Sequence, residues 1–442
     1  MKPNSSRRKF IKRTALGSAG LSVGWSASSY ANIIGANDRI HFAVAGLNSR
    51  GKGLTTSIFD LDNCMITVAC DVDSRAMASV QEIVAEKKGH KPGGEKDFRK
   101  VVERSDVDAV VIAAPDHWHA PMAIMAAQAG KDVYLEKPCC HSPREGELVV
   151  EAQKKYNRVV QMGNQQRSGP TSIQAVQDIR DGLIGDVYFG KAWYSNSRKS
   201  IGIGKKSTVP EWLDWELWQG PAPRRPYKDN YVHYHWHWFR NWGTGEINNN
   251  GTHELDICRW ALGVDIPVKV SSSGGRYHFD DDWEFYDTQI ANFEFADGKL
   301  ISWEGKSCNA HQYFNRGRGV TIHGTEGTIL MDRNGYVAFN QDGDEIKRMD
   351  AKSVSDTMNL VGAGNLTTLH LVNFIQAIRS GETLNAPIAD AYHSNLMPHL
   401  GNISQQYGRS LRIDPANGHI LRDEEAMSVW SREYEPGWEP VV

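Results

Sequence analysis

Apolar runs long enough to cross a bilayer are missing from this 442-residue chain. About 20 consecutive apolar residues are required, so a bundle of membrane-spanning helices is excluded. Cysteine is sparse as well: Cys64, Cys70, Cys139, Cys140, Cys258 and Cys308 follow neither zinc-ligand spacing nor the density of a disulfide framework. An excess of one charge is lacking too, with 50 Lys+Arg against 53 Asp+Glu for a net charge of −3, and there is no internal repeat or low-complexity tract. What remains is an ordinary globular composition on a chain too long for one hydrophobic core, which predicts two domains with a cleft between them. The 14 tryptophans fit an aromatic-lined cleft as well as core packing.

The N-terminal segment stands apart. Ser6-Arg7-Arg8-Lys9-Phe10-Ile11-Lys12 is a twin-arginine consensus, followed by a weakly apolar stretch from Thr14 to Trp25 and a small-residue exit at Ser29-Tyr30-Ala31. The expectation is a signal peptide over residues 1–31 and a periplasmic protein exported already folded, with any cofactor acquired beforehand. These residues hold six Lys/Arg and no acid, so the remainder carries a net charge of −9. That balance argues against nucleic acid or an anionic membrane surface as partner.

From residue 32 to 168, strands alternate with helices. Arg39 to Ala45, Met65 to Cys70, Ala109 to Ala114, Asp132 to Leu135 and Val159 to Met162 read as strands, with helices at Ser74 to Lys88, Ala120 to Ala129 and Pro143 to Tyr156. This alternation predicts a doubly wound parallel sheet. From 169 to 442 the texture changes: short strand-like segments are punctuated by Asp297-Gly298 and Asn334-Gly335, which are hairpin turn signals. An α+β domain with an open antiparallel sheet is expected there, with Leu366 to Ser380 and Ala391 to Tyr407 returning to pack on the first domain or beside the cleft.

Directly after the first strand stands Gly46-Leu47-Asn48-Ser49-Arg50-Gly51, a dinucleotide fingerprint with Asn48 at its middle glycine position. Gly46 permits the tight turn, Gly51 permits close helix packing, and the helix N-terminus at Ser49 and Arg50 faces a pyrophosphate. The second strand ends on Asp71, whose carboxylate can accept a ribose 2′-hydroxyl; this favours NAD, while Arg75 nearby keeps NADP as the alternative. Two further strands end at Ala113-Ala114-Pro115-Asp116-His117-Trp118-His119 and at Glu136-Lys137-Pro138. Both tips lie at the carboxyl edge of the sheet, where ligands bind, so Pro115, Asp116, His119 and Glu136 are expected beside the cofactor.

Together these motifs resemble the Gfo/Idh/MocA family of sugar oxidoreductases, in which an N-terminal Rossmann domain is joined to a C-terminal antiparallel sheet that carries the substrate site. The resemblance spans essentially the whole chain beyond the signal segment. It implies that Lys137 lies beside the nicotinamide and the reacting sugar carbon, and that Gln165 and Arg167 help hold the nicotinamide end. It also implies that His253, within Asn249-Asn250-Gly251-Thr252-His253-Glu254-Leu255-Asp256, is the acid/base. A lysine next to a cationic ring has a lowered pKa and exchanges protons near neutrality. The family usually carries an aspartate where Asn249 stands; an amide accepts no proton, so a carboxylate sharing the acid/base work has to come from elsewhere. The resemblance further implies a homo-oligomer built on the open sheet face.

Val232 to Trp242 sets His233, His235 and His237 at alternate positions. On a strand they share one face and could ligate a metal, but the resembled family needs none. Substrate binding is the reading taken, with Trp238 stacking on a sugar ring and His235, His237, Arg240 and Asn249 meeting its hydroxyls.

Two functions follow. The first is an NAD(P)-dependent oxidoreductase moving a hydride between a sugar or polyol ring carbon and a tightly bound nicotinamide, with Lys137 or His253 taking the hydroxyl proton. The second arises because the periplasm offers no reliable pool of free NAD: a redox-neutral glycosidase that oxidises, eliminates, hydrates and returns the hydride. Intact Lys137 and the absence of a visible carboxylate pair favour the first.

Overall fold

Ala109–Ile112, four buried apolar residues in a row, show why the N-terminal half forms a parallel sheet, since a strand covered on both faces carries a continuous apolar run. The computed structural model describes residues 38–351 and 365–442; the twin-arginine segment lies outside the described residues. Strands β1 (Ile40–Ala45), β2 (Cys64–Cys70), β3 (Gly93–Glu95), β4 (Ala109–Ile112), β5 (Asp132–Leu135) and β6 (Val160–Met162) form one sheet in the order β3-β2-β1-β4-β5-β6. All its pairs are parallel. The order reverses between β1 and β4, and a crevice opens outside the strand ends at that switch point.

Crossover helices are α1 (Arg50–Ile58), α2 (Ser74–Lys88), α3 (Asp116–Gln128) and α4 (Pro143–Tyr156). Helix α3 begins at Asp116, ahead of the expected Ala120, because Pro115 is an extended N-cap and the polar run Asp116 to His119 is buried as the first helical turn. Within it Pro121 has no N–H for the His117 carbonyl. That oxygen accepts instead from Arg432 Nη2 at 2.7 Å, so the C-terminal tail replaces the missing bond.

The second half contains α5 (Pro170–Arg180), β7 (Val187–Ser195), α6 (Thr252–Leu262), β8 (Lys269–Gly275), β9 (Thr288–Glu294), β10 (Leu300–Lys306), β11 (Arg318–Gly324), β12 (Gly327–Asp332), β13 (Gly335–Asn340) and β14 (Glu345–Asp350). These strands and β15 (Leu411–Arg412) make a nine-stranded sheet, β14-β13-β12-β11-β7-β10-β9-β8-β15. Along β9, Gln289, Ala291 and Phe293 are buried while the residues between them are not, the period of a strand with one covered face. The sheet is mostly antiparallel, as expected; β7 and β10 alone run parallel among the described strands, a long crossover containing α6 separating them.

Helices α7 (Leu366–Ser380) and α8 (Ile388–Tyr407) return to the first half. Leu371, Phe374 and Ile375 of α7 join Val44, Leu54 and Tyr134 in one apolar cluster. Helix α8 packs on both β8 and α4, and residues Ile40–Val442 form one unit. Among the described residues no helix is long and apolar enough to cross a membrane.

Val232 to Trp242 is not a strand; it contains a short 3-10 helix at His235–Trp238. It belongs to an insertion held together by its own aromatic core, with Trp215 stacked on Trp218 at 4.8 Å and Trp238 on Trp283 at 4.0 Å. Most of these tryptophans therefore serve packing.

Candidate active site

At the end of β1 the chain turns through Gly46 with φ +82°, and a Cβ there would stand 2.5 Å from the Ala113 carbonyl carbon. At Gly51 a Cβ would stand 1.7 Å from the Gly46 carbonyl oxygen. Both positions require glycine. No side chain caps the N-terminus of α1, so its leading N–H groups remain available to a phosphate. At the end of β2, Asp71 accepts the Leu47 N–H at 2.6 Å and the Asp73 N–H at 2.8 Å. This pins a carboxylate beside the crevice with lone pairs to spare. Gly46, Asn48, Ser49, Arg50, Asp71 and Pro115 line a cavity of ≈ 180 Å³ with largely apolar walls. The glycine turn, the uncapped helix and the fixed carboxylate fit a nicotinamide dinucleotide.

Arg75 does not reach this cavity. Its Nε and Nη2 bond Asp73 at 3.1 and 2.9 Å, and its guanidinium lies 3.4 Å from the Trp212 ring centroid. Arg75 is thus engaged away from the cavity, and at the rim a 2′-phosphate would meet the Asp71 carboxylate.

A second cavity of ≈ 260 Å³ shares Arg50, Ala113, Ala114, Trp236 and His237 with the first. Around it stand Asp116, His119, Glu136, Lys137, Gln165 and His253. Glu136, at the tip of β5, accepts Arg50 Nε at 2.7 Å and Gln165 Nε2 at 2.9 Å, which fixes the residue before the key lysine. Gln165 thus acts at the cavity through Glu136. Lys137 Nζ donates to the Asn249 backbone carbonyl at 2.6 Å and approaches its Oδ1 at 3.3 Å. A π-helical turn, Ile247–Gly251, immediately precedes α6; such turns recur at functional sites. Burial lowers the Lys137 pKa, against the opposing pull of the Glu136 and Asp116 carboxylates.

Asp116 Oδ2 accepts Thr244 Oγ1 at 2.5 Å, and burial pushes its pKa up to about 7 despite that bond. His237 has Nδ1 at 2.6 Å from the Tyr234 carbonyl. Burial holds His237 and His253 well below the usual imidazole range, with the Lys137 cation adding to the effect on each. His119 is fixed by Nδ1 against the Pro138 carbonyl at 2.5 Å, while its Nε2 is buried without a protein partner.

Several expected contacts lie elsewhere. Arg167 is clasped by Asp256 at 2.9 and 2.7 Å and paired with Asp390 at 3.1 Å; this ion cluster ties α6 to α8 and leaves no guanidinium for nicotinamide. Trp238 is core. Arg240 bonds Gln406 at 3.1 Å and covers the Phe285 ring at 4.6 Å. His235 faces the Asn230 carbonyl at 3.1 Å, and His233 faces Asp73 at 2.9 Å, because the 3-10 turn fans the histidines apart. Asn249 stands behind Lys137, its Nδ2 donating to Glu246 at 3.3 Å. Trp236 and Arg333 also line the second cavity, which no sequence motif indicates. Trp236 lies in the aromatic run Val232 to Trp242, whereas Arg333 sits in a hairpin turn that carries no signal of chemistry.

A Rossmann sheet with a glycine turn and an acid at the end of its second strand, leading into a cavity closed by a lysine and a histidine from the other half, defines a nicotinamide-dependent enzyme. The chain belongs to the Gfo/Idh/MocA oxidoreductase family: residues 40–164 match its NAD-binding Rossmann fold and residues 190–439 its C-terminal alpha/beta domain. The chain spans about half the length of the curated relatives it matches. It is 28% identical over 227 residues to a glycosyl hydrolase family 109 protein of Saccharopolyspora erythraea, covering 47% of this chain and 49% of that protein. It is 25% identical over 211 residues to an alpha-N-acetylgalactosaminidase of Shewanella oneidensis, covering 43% and 46%. Among solved structures it is similar to an aldose-aldose oxidoreductase from Caulobacter crescentus, with TM-score 0.65, 17% identity and coverage of 85% of this chain and 100% of that one. It is also similar to a levoglucosan dehydrogenase in complex with NADH and levoglucosan, with TM-score 0.67, 19% identity and coverage of 85% and 99%. At these identities the likeness to solved structures is one of fold.

Proposed function

We propose that the protein is a periplasmic sugar or polyol oxidoreductase working with a tightly held NAD. The observation that carries this reading is Lys137, half-buried in the wall of the second cavity and held by the Asn249 carbonyl at 2.6 Å. The glycine turn and the α1 N-terminus would hold the pyrophosphate and Asp71 a ribose hydroxyl; when bound, the nicotinamide supplies the hydride acceptor. The chain's own task is the proton. A sugar hydroxyl in the second cavity loses it to Lys137 Nζ, which can take it because burial favours the neutral amine, or to the neutral His253 imidazole. Glu136, clamped by Arg50 and Gln165, keeps the lysine backbone in place. A sugar-active relative such as the levoglucosan dehydrogenase supports the substrate class, and the twin-arginine motif supports export with cofactor aboard.

A second reading, the redox-neutral glycosidase, is favoured by Asp116 and by the names of the family 109 relatives. Glu136 is consumed by Arg50, but Asp116 offers a carboxylate at the same cavity. It could remove the C–H proton made acidic by a transient neighbouring ketone, after which the leaving group departs and water adds.

The test is to purify the exported protein, look for bound NAD(H) by absorbance and mass, and add sugars or aryl glycosides without free cofactor. Reduction of the bound nicotinamide by sugar is expected. Release of free sugar from glycosides with no net NADH would overturn the simple oxidoreductase reading.

A further inference from the structure

The charges around the second cavity do not balance. Arg50 is paired with Glu136 at 2.7 Å, and the neighbouring Arg318 is clasped by Glu254 at 2.7 and 3.0 Å. Asp332, next in sequence to Arg333, is paired with Arg316 at 3.4 Å. Among the described residues these carboxylates are each paired with another cation, although Glu254 and Glu136 also attract Arg333 at longer range, and Asp116 across the cavity is bonded to Thr244. Arg333, in the turn between β12 and β13, lines this cavity and makes no hydrogen bond or ion pair among the described residues. Surrounding protein and the Arg318 cation lower its pKa only to about 10, so it stays charged at neutral pH.

Arg333 is exposed on its outer side and also lines the cavity. A ligand that fills the cavity meets the guanidinium of Arg333 at its wall, and an unpartnered guanidinium there attracts an anionic group over a neutral one. The dinucleotide cannot provide one, because its pyrophosphate belongs to the first cavity, which Arg333 does not line. We infer that the substrate is a sugar acid, whose carboxylate is taken by the planar fork of Arg333 while its ring lies against Lys137 and His253. This rests on the reading of the second cavity as a sugar site. Two parallel N–H···O bonds match a carboxylate in geometry and charge.

The test uses the cofactor-loaded protein with D-glucuronate, D-galacturonate, their neutral hexoses and a hexose 6-phosphate, read both as binding and as reduction of bound nicotinamide. The acids are expected to bind on the order of 10- to 100-fold more tightly than the neutral sugars, the range for hydrogen bonds to charged groups. R333M should remove most of that acid-to-neutral ratio, while R333K should keep part of it. Neutral sugars that match the acids, or a ratio that R333M leaves intact, overturn the inference while the sugar-oxidoreductase reading survives. Preference for the phosphate over both acids overturns the carboxylate assignment. Arg333-dependent binding of acids without any hydride change supports the inference and sinks the redox reading, and no binding by any sugar overturns both.

Discussion

Lys137 from the parallel sheet donates its ammonium hydrogen to the backbone carbonyl of Asn249, at 2.6 Å, in the π-helical turn before α6. This bond ties the proton-handling nitrogen of the first half to the backbone of the second. Asn249 is an amide for a structural reason: its Nδ2 donates to Glu246, which already accepts Arg198 at 2.6 Å and Ser307 at 2.9 Å. A carboxylate there would face Glu246 with like charge.

Asn249→Asp should therefore move the pH profile. It sets an anion about where Oδ1 now lies, 3.3 Å from Nζ, and an anion at that range favours the charged amine. Lys137 acts as base only when neutral, so the rising limb of turnover against pH should shift upward by about 1 unit or more. The measurement is kcat across pH for sugar-driven reduction of bound nicotinamide. A limb that stays in place would remove Lys137 as the titrating base.

The Arg167–Asp256 pair, 7% and 2% exposed, should matter for stability and not for cofactor retention. Asp256→Ala leaves a buried guanidinium with only the half-exposed Asp390 as partner. The cost should be near the lower end of the ~3–5 kcal/mol known for broken buried pairs, read as a fall in the urea midpoint. Folded protein should keep its bound nicotinamide. Loss of cofactor at an unchanged midpoint would restore Arg167 to the nicotinamide site.

What could be read from the residues alone tracks how local each signal is. Strands β1, β2 and β5 announce themselves as largely apolar runs with functional residues at their ends, so Gly46, Asp71, Glu136 and Lys137 could be placed at one sheet edge. Strand β14, Glu345–Asp350, is a mostly exposed edge strand, guarded by charge against pairing, and charge hides its alternation. The directions of the three histidines were not legible because alternation in sequence fixes a common face only on a strand, while here Trp238 packs on Trp283 and the run turns through a 3-10 helix. Arg167 was assigned to the cofactor through the resemblance and Arg240 to the substrate through its aromatic surroundings; their acidic and aromatic partners, Asp256, Asp390 and Phe285, are distant in sequence. Arg333 needed the β12–β13 turn to be brought over the cavity, which no local pattern reveals.

Acid should weaken the fold through three buried histidines. Burial pushes His117 down to about 3, and His370 and His399 down to about 4. In the unfolded chain each takes a proton near pH 6.5, so below that pH the unfolded state binds protons that the fold refuses. Stability is therefore full above about 6.5 and declines as pH falls toward about 4, by up to ~1.4 kcal/mol per unit for each histidine. Urea midpoints at about pH 7.5 and about pH 5 measure this; equal midpoints would mean that the three rings are protonated in place.

Asp116 separates the two enzymatic readings. Its pKa, pushed up to about 7 by burial, makes it a carboxylate above neutrality and a carboxylic acid below. On the oxidoreductase reading, neither the native protein nor Asp116→Asn releases sugar from an aryl glycoside, and only the rate of nicotinamide reduction responds to the change. On the glycosidase reading, native cleavage rises as pH passes about 7. Asp116→Asn then loses cleavage by on the order of 10²- to 10⁴-fold, the usual weight of a general base. Because oxidation precedes the step that needs this base, the variant stalls with its nicotinamide reduced, visible as near-ultraviolet absorbance that builds up without product. Native cleavage that Asp116→Asn leaves at full rate would mean the eliminating base is another group, and the neutral His237 facing the same cavity would be next to test.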